Sequence, residues 1–111
     1  MADPRVKQLK IKTGVVKRLT KEKHSYEKEM GAEEKRLEKM RADGRDSHDI
    51  RKQEEVLQES RMMLPDCQRR LRSALDELSK LVSDEREAFR DLPELDEAMA
   101  VTEAAKKALA S

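Results

Sequence analysis

The chain has 111 residues and a mass of 12.9 kDa, which is the size of a single domain. Charged residues make up 44% of it, aromatic residues only 2%, and the net charge is +1. So few aromatic and glycine residues argue against a β-sandwich and against a compact α/β enzyme. Such a composition is typical of long helices or of disordered chains, and the spacing of the apolar residues decides between the two.

The first predicted helix covers residues 4–42. Asp3 can accept hydrogen bonds from free helical N–H groups and Pro4 suits the first helical position, while Gly44 suits the residue after a helix. A heptad with position a at Leu9 places mostly apolar residues at a and d, which predicts a coiled-coil-like seam with three polar interruptions. The seam consists of Leu9, Lys12, Val16, Leu19, Lys23, Tyr26, Met30, Glu33, Leu37 and Met40.

A loop at residues 43–48 leads into the second predicted helix, residues 48–91. Its seam runs at heptad spacing from Ile50 to Leu92, and Leu75, Val82 and Phe89 widen it at position e. Such a wide stripe indicates a helix that contacts two neighbours. Pro65 interrupts the backbone hydrogen bonds at a cost of ~3 kcal/mol, but the register continues, which predicts a kink near Pro65.

The third predicted helix covers residues 93–110, after a turn at residues 91–93. Ser83 and Asp84 offer a second possible start for a new helix. Two long helices joined by a tight loop run antiparallel, and the third packs back along them. We therefore expect an all-α fold, an elongated antiparallel three-helix bundle (up-down-up) that forms one domain over residues 1–111. A coiled-coil dimer is the alternative, and the wide stripe favours the monomer.

The sequence shows no catalytic, cofactor-binding or metal-binding pattern. His24, His48 and Cys67 have none of the spacings typical of a zinc site, and glycines that could form a phosphate loop are isolated. Cys67 cannot form an internal disulfide and lies on the seam, where a small buried side chain is expected. No apolar run is long enough to span a membrane, and no signal peptide precedes the first helix. We therefore expect a cytosolic binding protein that is not an enzyme.

Lysines cluster on the outer face of the first helix. Residues 1–23 carry eight basic groups against two acidic ones. Between residues 7 and 35, six of the nine outermost positions, b and f, are lysine and none is acidic; these nine are Lys7, Lys10, Gly14, Lys17, Lys21, His24, Lys28, Gly31 and Lys35. A solvated face usually mixes both signs, so this lysine stripe is a candidate surface for an acidic partner. Lys10, Lys17 and Lys21 are its candidate contact residues.

A second candidate surface lies in the middle of the second helix. Met62 at position f should be exposed, and Met63 at position g should pack against the third helix. Methionine next to arginine is common in protein-binding surfaces. The candidate contact residues here are Arg61, Met62, Pro65 and Arg69.

Several blocks of the sequence resemble the tubulin-binding cofactor A family. They are MADPRVKQLKIKTGVVKRL, KEKHSYEKE and QESRMMLPDCQRRL followed by DELSKL, and the resemblance covers about residues 1–82. It implies a cytosolic, cytoskeleton-associated monomer and a chaperone that needs neither nucleotide nor catalysis. It also implies that the chain captures β-tubulin folding intermediates released by the cytosolic chaperonin and passes them to other tubulin-folding cofactors.

Two other functions stay open at this point. Nucleic-acid binding through the basic helix lacks stacking aromatic residues, and a net charge of +1 gives little long-range attraction. A structural coiled-coil adaptor would instead form a dimer in solution.

Overall fold

The computed structural model describes residues 3–111, and over this range the elements are helices joined by short turns. Helix α1 spans Pro4–Ala42, α2 spans Ser47–Asp84, α3 spans Arg86–Phe89 and α4 spans Pro93–Ala110. Together they form a rod of 64 × 24 × 17 Å. No helix within residues 3–111 combines the length and the apolar character needed to cross a membrane.

The ends of α1 follow from its sequence. The Asp3 carboxylate accepts a hydrogen bond of 2.9 Å from the backbone N–H of Arg5, and the Arg5 side chain, which also binds this carboxylate, lowers the pKa of Asp3 below its ordinary value. At the other end Gly44 adopts a φ of 66°, a conformation that costs glycine little. Asp46 then occupies the N-cap position of α2, without a side-chain hydrogen bond to the helix.

Ion pairs between α1 and α2 show that the two helices run antiparallel. Near the loop, Arg41 of α1 pairs with Glu54 of α2 at 2.8 Å. At the far end, Arg5 pairs with Glu85, which directly follows α2, at 3.1 Å. Residue numbers thus rise on one helix as they fall on the other, as expected for long helices joined by a tight turn.

Helix α4 lies along the first half of α1 and runs parallel to it. Lys10 and Lys17 of α1 face Glu94 and Glu97 of α4, each pair at 3.8 Å. Parallel helices rise together at about 1.5 Å per residue, so the 18 residues of α4 end near the level of Tyr26. The rod therefore has a three-helix half next to the chain termini and a two-helix half next to the loop.

The main core lies in the three-helix half. Its fully buried members are Leu9, Val16, Leu19, Leu71, Leu75, Leu78, Phe89, Ala98 and Ala105. Leu75 and Phe89 come from position e of the second heptad pattern, and Val82 packs against the same cluster. The prediction that this flank contacts a second neighbour is confirmed, because α4 supplies that neighbour.

The chain after residue 84 differs from the predicted single second helix. Helix α2 ends at Asp84, Glu85 leaves helical geometry with φ −116° and ψ 30°, and the one-turn helix α3 follows. Residues 3–111 therefore contain four helices rather than three. Phe89 follows the break and is fully buried in the core. A turn through Asp91, at a φ of 62°, then precedes α4.

The seam is less well covered in the two-helix half. Tyr26, Met30 and Leu64 occupy predicted seam positions but are only half-buried, whereas Leu57 is 3% exposed. Because α4 does not reach this far, these three side chains keep part of their surface open to solvent, whereas Leu37 and Met40 are buried like Leu57.

We predict that Leu71→Ala lowers the free energy of unfolding by about 2–5 kcal/mol, because it leaves a cavity in a fully packed core. Ile11→Ala is the matched control: Ile11 is 49% exposed, so its truncation should cost about 0.5 kcal/mol or less. Urea denaturation of both variants measures the difference. Equal losses would show that the core does not lie under α4.

Candidate functional site

The largest exposed apolar side chains of α2 lie together in the two-helix half. Met62 is 68% exposed, Met63 50% and Val56 44%. We call these three residues the methionine patch. Unbranched methionine side chains adapt to differently shaped apolar surfaces, so the patch suits a protein partner without a single fixed conformation.

The structure corrects one prediction for this patch and confirms another. Met62 at position f is exposed as predicted, but the prediction that Met63 packs against the third helix is wrong. Position g lies on the side of α2 opposite to position e, which faces α4, and Arg70 and Glu77, at position g beside α4, are exposed as well. Val56 lies at the same position; it was missed in the sequence because position g reads as a flank of the core.

Arg61 faces α1 in an ion pair. Its guanidinium donates to the carboxylate of Glu34 at 3.3 Å, and both side chains are half exposed. The pair bridges α1 and α2 on the side where α4 would lie if it were longer. An exposed pair of this kind contributes about 0–1 kcal/mol to stability, so a partner's carboxylate can compete for Arg61 at low cost.

Arg69 is engaged within its own helix. It donates to Asp66 at 2.6 Å, and this hydrogen bond holds the pKa of the Asp66 carboxyl below its ordinary value. Arg70 approaches the same carboxylate at 3.3 Å. The Asp66 carboxylate thus remains charged and places two guanidinium groups on the exposed side of α2, one turn from Met62.

Pro65 lies inside α2, which continues through it. Proline has no N–H, so the carbonyl of Arg61 lacks the donor that an α-helix normally supplies from the residue four positions on. Pro65 is exposed, so water can satisfy this carbonyl. The site therefore combines a gap in the helical hydrogen bonds with the exposed methionines one turn away.

The lysine stripe divides into two parts. Lys10 and Lys17 face carboxylates of α4, as described above, so they are not free of intramolecular partners. Lys21, by contrast, has no carboxylate oxygen within 4.0 Å in residues 3–111. Tyr26, Lys17 and Lys21 border a shallow depression on the outer side of α1.

Of the remaining polar candidates, Lys23 and Cys67 are buried in the interior of the rod and the two histidines are exposed. Lys23 is 1% exposed and donates to Glu27 at 2.7 Å, which explains how a lysine is tolerated on the seam. His24 and His48 are exposed on different parts of the rod. Cys67 is fully buried, and burial raises the pKa of its thiol, so the prediction of a small buried side chain at this position is confirmed.

These features define an elongated helical protein whose candidate site is an exposed apolar and basic surface. The family model of tubulin binding cofactor A matches residues 4–102, and the chain belongs to this family.

Relatives of the same length resemble it closely. Tubulin-specific chaperone A of Homo sapiens is 58% identical over 97 residues, covering 87% of this chain and 86% of that protein. Tubulin-folding cofactor A of Arabidopsis thaliana is 45% identical over 94 residues, covering 84% and 83%.

Solved structures agree with the fold. The crystal structure of tubulin folding cofactor A from Arabidopsis thaliana superposes with a TM-score of 0.88 at 41% identity and covers 94% of this chain and 97% of its own. The human tubulin chaperone cofactor A gives a TM-score of 0.81 at 50% identity, with 93% and 99% covered.

We predict that Pro65→Ala raises the melting temperature or leaves it unchanged. Alanine restores the missing N–H donor and is the best helix former. Thermal unfolding followed by circular dichroism measures this effect, with Met99→Ala as a control substitution on α4. A clear loss of stability would show that the proline is needed for packing rather than retained for function.

Proposed function

We propose that this chain is a tubulin-folding chaperone that binds β-tubulin folding intermediates and holds them without catalysis or nucleotide. Membership of the family supports the role, because its relatives carry the names tubulin-specific chaperone and tubulin-folding cofactor. In this proposal the chain acts in the cytoplasm as a monomer, receives β-tubulin released by the chaperonin and passes it to other tubulin-folding cofactors.

The observation that carries the proposal is the exposure of Met62 on a chain whose other outer positions are nearly all polar. A chaperone needs apolar contact, because charge contributes more to the rate of association than to affinity. At 68% exposure, Met62 can lose a large apolar area to a partner. Most of α2 elsewhere presents charged residues outward, so the methionine patch is the best apolar contact that α2 offers.

The arginines beside the patch supply the polar part of the contact. Arg61 can exchange Glu34 for a carboxylate of the client, and a guanidinium can hold a carboxylate through two parallel hydrogen bonds. Arg69 sits one turn beyond Pro65 on the same exposed side. We propose that a kink at Pro65 presents Arg61, Met62 and Arg69 as a convex surface.

The lysine stripe contributes attraction at a distance in this proposal. Lys10, Lys17 and Lys21 extend the basic field along α1, which speeds the approach of an acidic client without requiring contact. The lysines raise the association rate and leave the dissociation rate unchanged, and this effect weakens as the salt concentration rises.

One observation favours a second function, that of a dimeric coiled-coil adaptor. Val56 and Met63 both lie at position g and both are about half exposed, as residues at a helix–helix contact between two copies would be in the free chain. Analytical ultracentrifugation distinguishes the two, because the adaptor sediments as a dimer and the proposed chaperone as a monomer.

We predict that Met62→Ala and Arg61→Ala each weaken β-tubulin binding by about 1–3 kcal/mol, the range of central interface contacts. Neither substitution should cost more than about 1 kcal/mol of stability, because both side chains are half exposed or more. The measurement is the dissociation constant for β-tubulin, together with the melting temperature of each variant.

The chain offers a matched control for each substitution. Met99 is 49% exposed on α4, and Arg41 forms the same kind of α1–α2 ion pair with Glu54, away from the patch. Met99→Ala and Arg41→Ala should bind β-tubulin like the unmodified chain. Folded variants of Met62 and Arg61 with undiminished binding would refute the proposed contact.

A further inference from the structure

The outer faces of α1 and α2 point to opposite sides of the rod. Lys21, Lys28 and Lys35 occupy position f of α1, and Met62 occupies position f of α2. Position f points away from the neighbouring helix in an antiparallel pair. The ion pair between Glu34 and Arg61 sets the relative height of the two helices and places Lys35 within about 3 Å of the level of Met62. A flat client surface that covers Met62 therefore cannot reach Lys35 through a rod 17–24 Å thick.

The lysine row formed by Lys21, Lys28 and Lys35 has a regular spacing. Seven residues of α-helix separate neighbouring lysines by about 10.5 Å, so the row is about 21 Å long. All three side chains are exposed, and none has a carboxylate oxygen within 4.0 Å in the part of the chain that the structure describes.

Carboxylates that flank the lysine row are largely engaged elsewhere. Glu22 accepts from Arg18 at 3.0 Å, Glu27 accepts from Lys23 at 2.7 Å, and Glu34 accepts from Arg61. Glu29 lies to one side of the row, whereas Glu38 is exposed at position b, three residues after Lys35. The contacts of Glu22, Glu27 and Glu34 draw negative charge away from the row, which is most basic around Lys21 and Lys28.

The other part of the lysine stripe shows what such lysines bind. Lys10 and Lys17 face Glu94 and Glu97 of α4, a segment that lies lengthwise along α1. Lys10 and Lys17 occupy position b, whereas the lysine row occupies position f, which has no such segment over it even at Lys21, where α4 still lies alongside α1. From this we infer that the lysine row docks an acidic segment of a second protein, lying lengthwise on α1 while the client occupies the methionine patch.

A protein segment fits the row better than a nucleic acid does. The aromatic residue beside the row, Tyr26, is half-buried and offers bases little surface for stacking, and three lysines neutralise few phosphates. The inference rests on the proposed function only for the identity of the client. The row can be tested without any client present.

The first test measures binding of a fluorescent, glutamate-rich peptide of about 12 residues, long enough to span the row when extended. Replacing Lys21, Lys28 and Lys35 together by Gln should weaken binding about tenfold, as expected for the loss of three exposed charge pairs. The control replaces Lys39, Lys52 and Lys80 by Gln, which removes the same charge from scattered exposed positions. The control should bind within about twofold of the unmodified chain.

Equal weakening in both triple variants would overturn the inference, since net charge alone would then explain binding. If an oligouridylate of similar length binds the row more tightly than the peptide does, the inference is also overturned, because the occupant would then be a nucleic acid. A peptide with Gln at every Glu position should not bind, and its binding would equally count against a charge-directed site.

The second test adds β-tubulin. The peptide should bind the preformed complex with β-tubulin as well as it binds the free chain, and the lysine-row variant should release β-tubulin at the unmodified rate. Displacement of β-tubulin by the peptide would place both on one site and refute the second docking surface. Failure of the proposed function would give a different result. In that case Met62→Ala would leave β-tubulin binding unchanged, while the peptide would still bind the lysine row.

Discussion

The arrangement of the whole rod depends on the difference in length between the two long helices and α4. Helices α1 and α2 have 39 and 38 residues, whereas α4 has 18, so α4 can cover only half of the seam that the two long helices share. In the covered half, leucines at positions a, d and e are fully buried against alanines of α4. In the other half, ion pairs such as Arg61 with Glu34 close the side that α4 leaves open.

The two halves therefore differ in what stabilises them. Buried leucines contribute about 1.5–3 kcal/mol each, while exposed ion pairs contribute about 0–1 kcal/mol. The two-helix half is the weaker one, and it also carries the exposed apolar residues. Val56 and Met63 lie at position g, on the side of α2 opposite to α4, where about half of each side chain is open to a partner.

The sequence predicts the long helices well because their signals are local. The start at Asp3-Pro4, the glycine turn and the heptad spacing define α1 within the chain itself. What the sequence could not supply is the position of α4 relative to α2, since this depends on where the chain breaks. The apolar register continues through Glu85 to Leu92, yet the helix breaks at Glu85 while Phe89 is buried in the core, so tertiary context overrides the periodic signal. The pairing of Lys10 with Glu94 depends on that position and could not be predicted.

Departures from local rules concentrate in one stretch of the rod. Pro65 removes a helical hydrogen bond, Met62 exposes an apolar side chain, and Val56 leaves a β-branched residue about half in solvent. Each lowers stability or solubility slightly, and nothing in the fold requires any of them, because polar residues occupy the equivalent positions elsewhere on α2. Folded chains keep such costs mainly where function needs them. Their clustering within about three turns of one helix supports the proposal that this stretch, rather than the covered half, contacts the client.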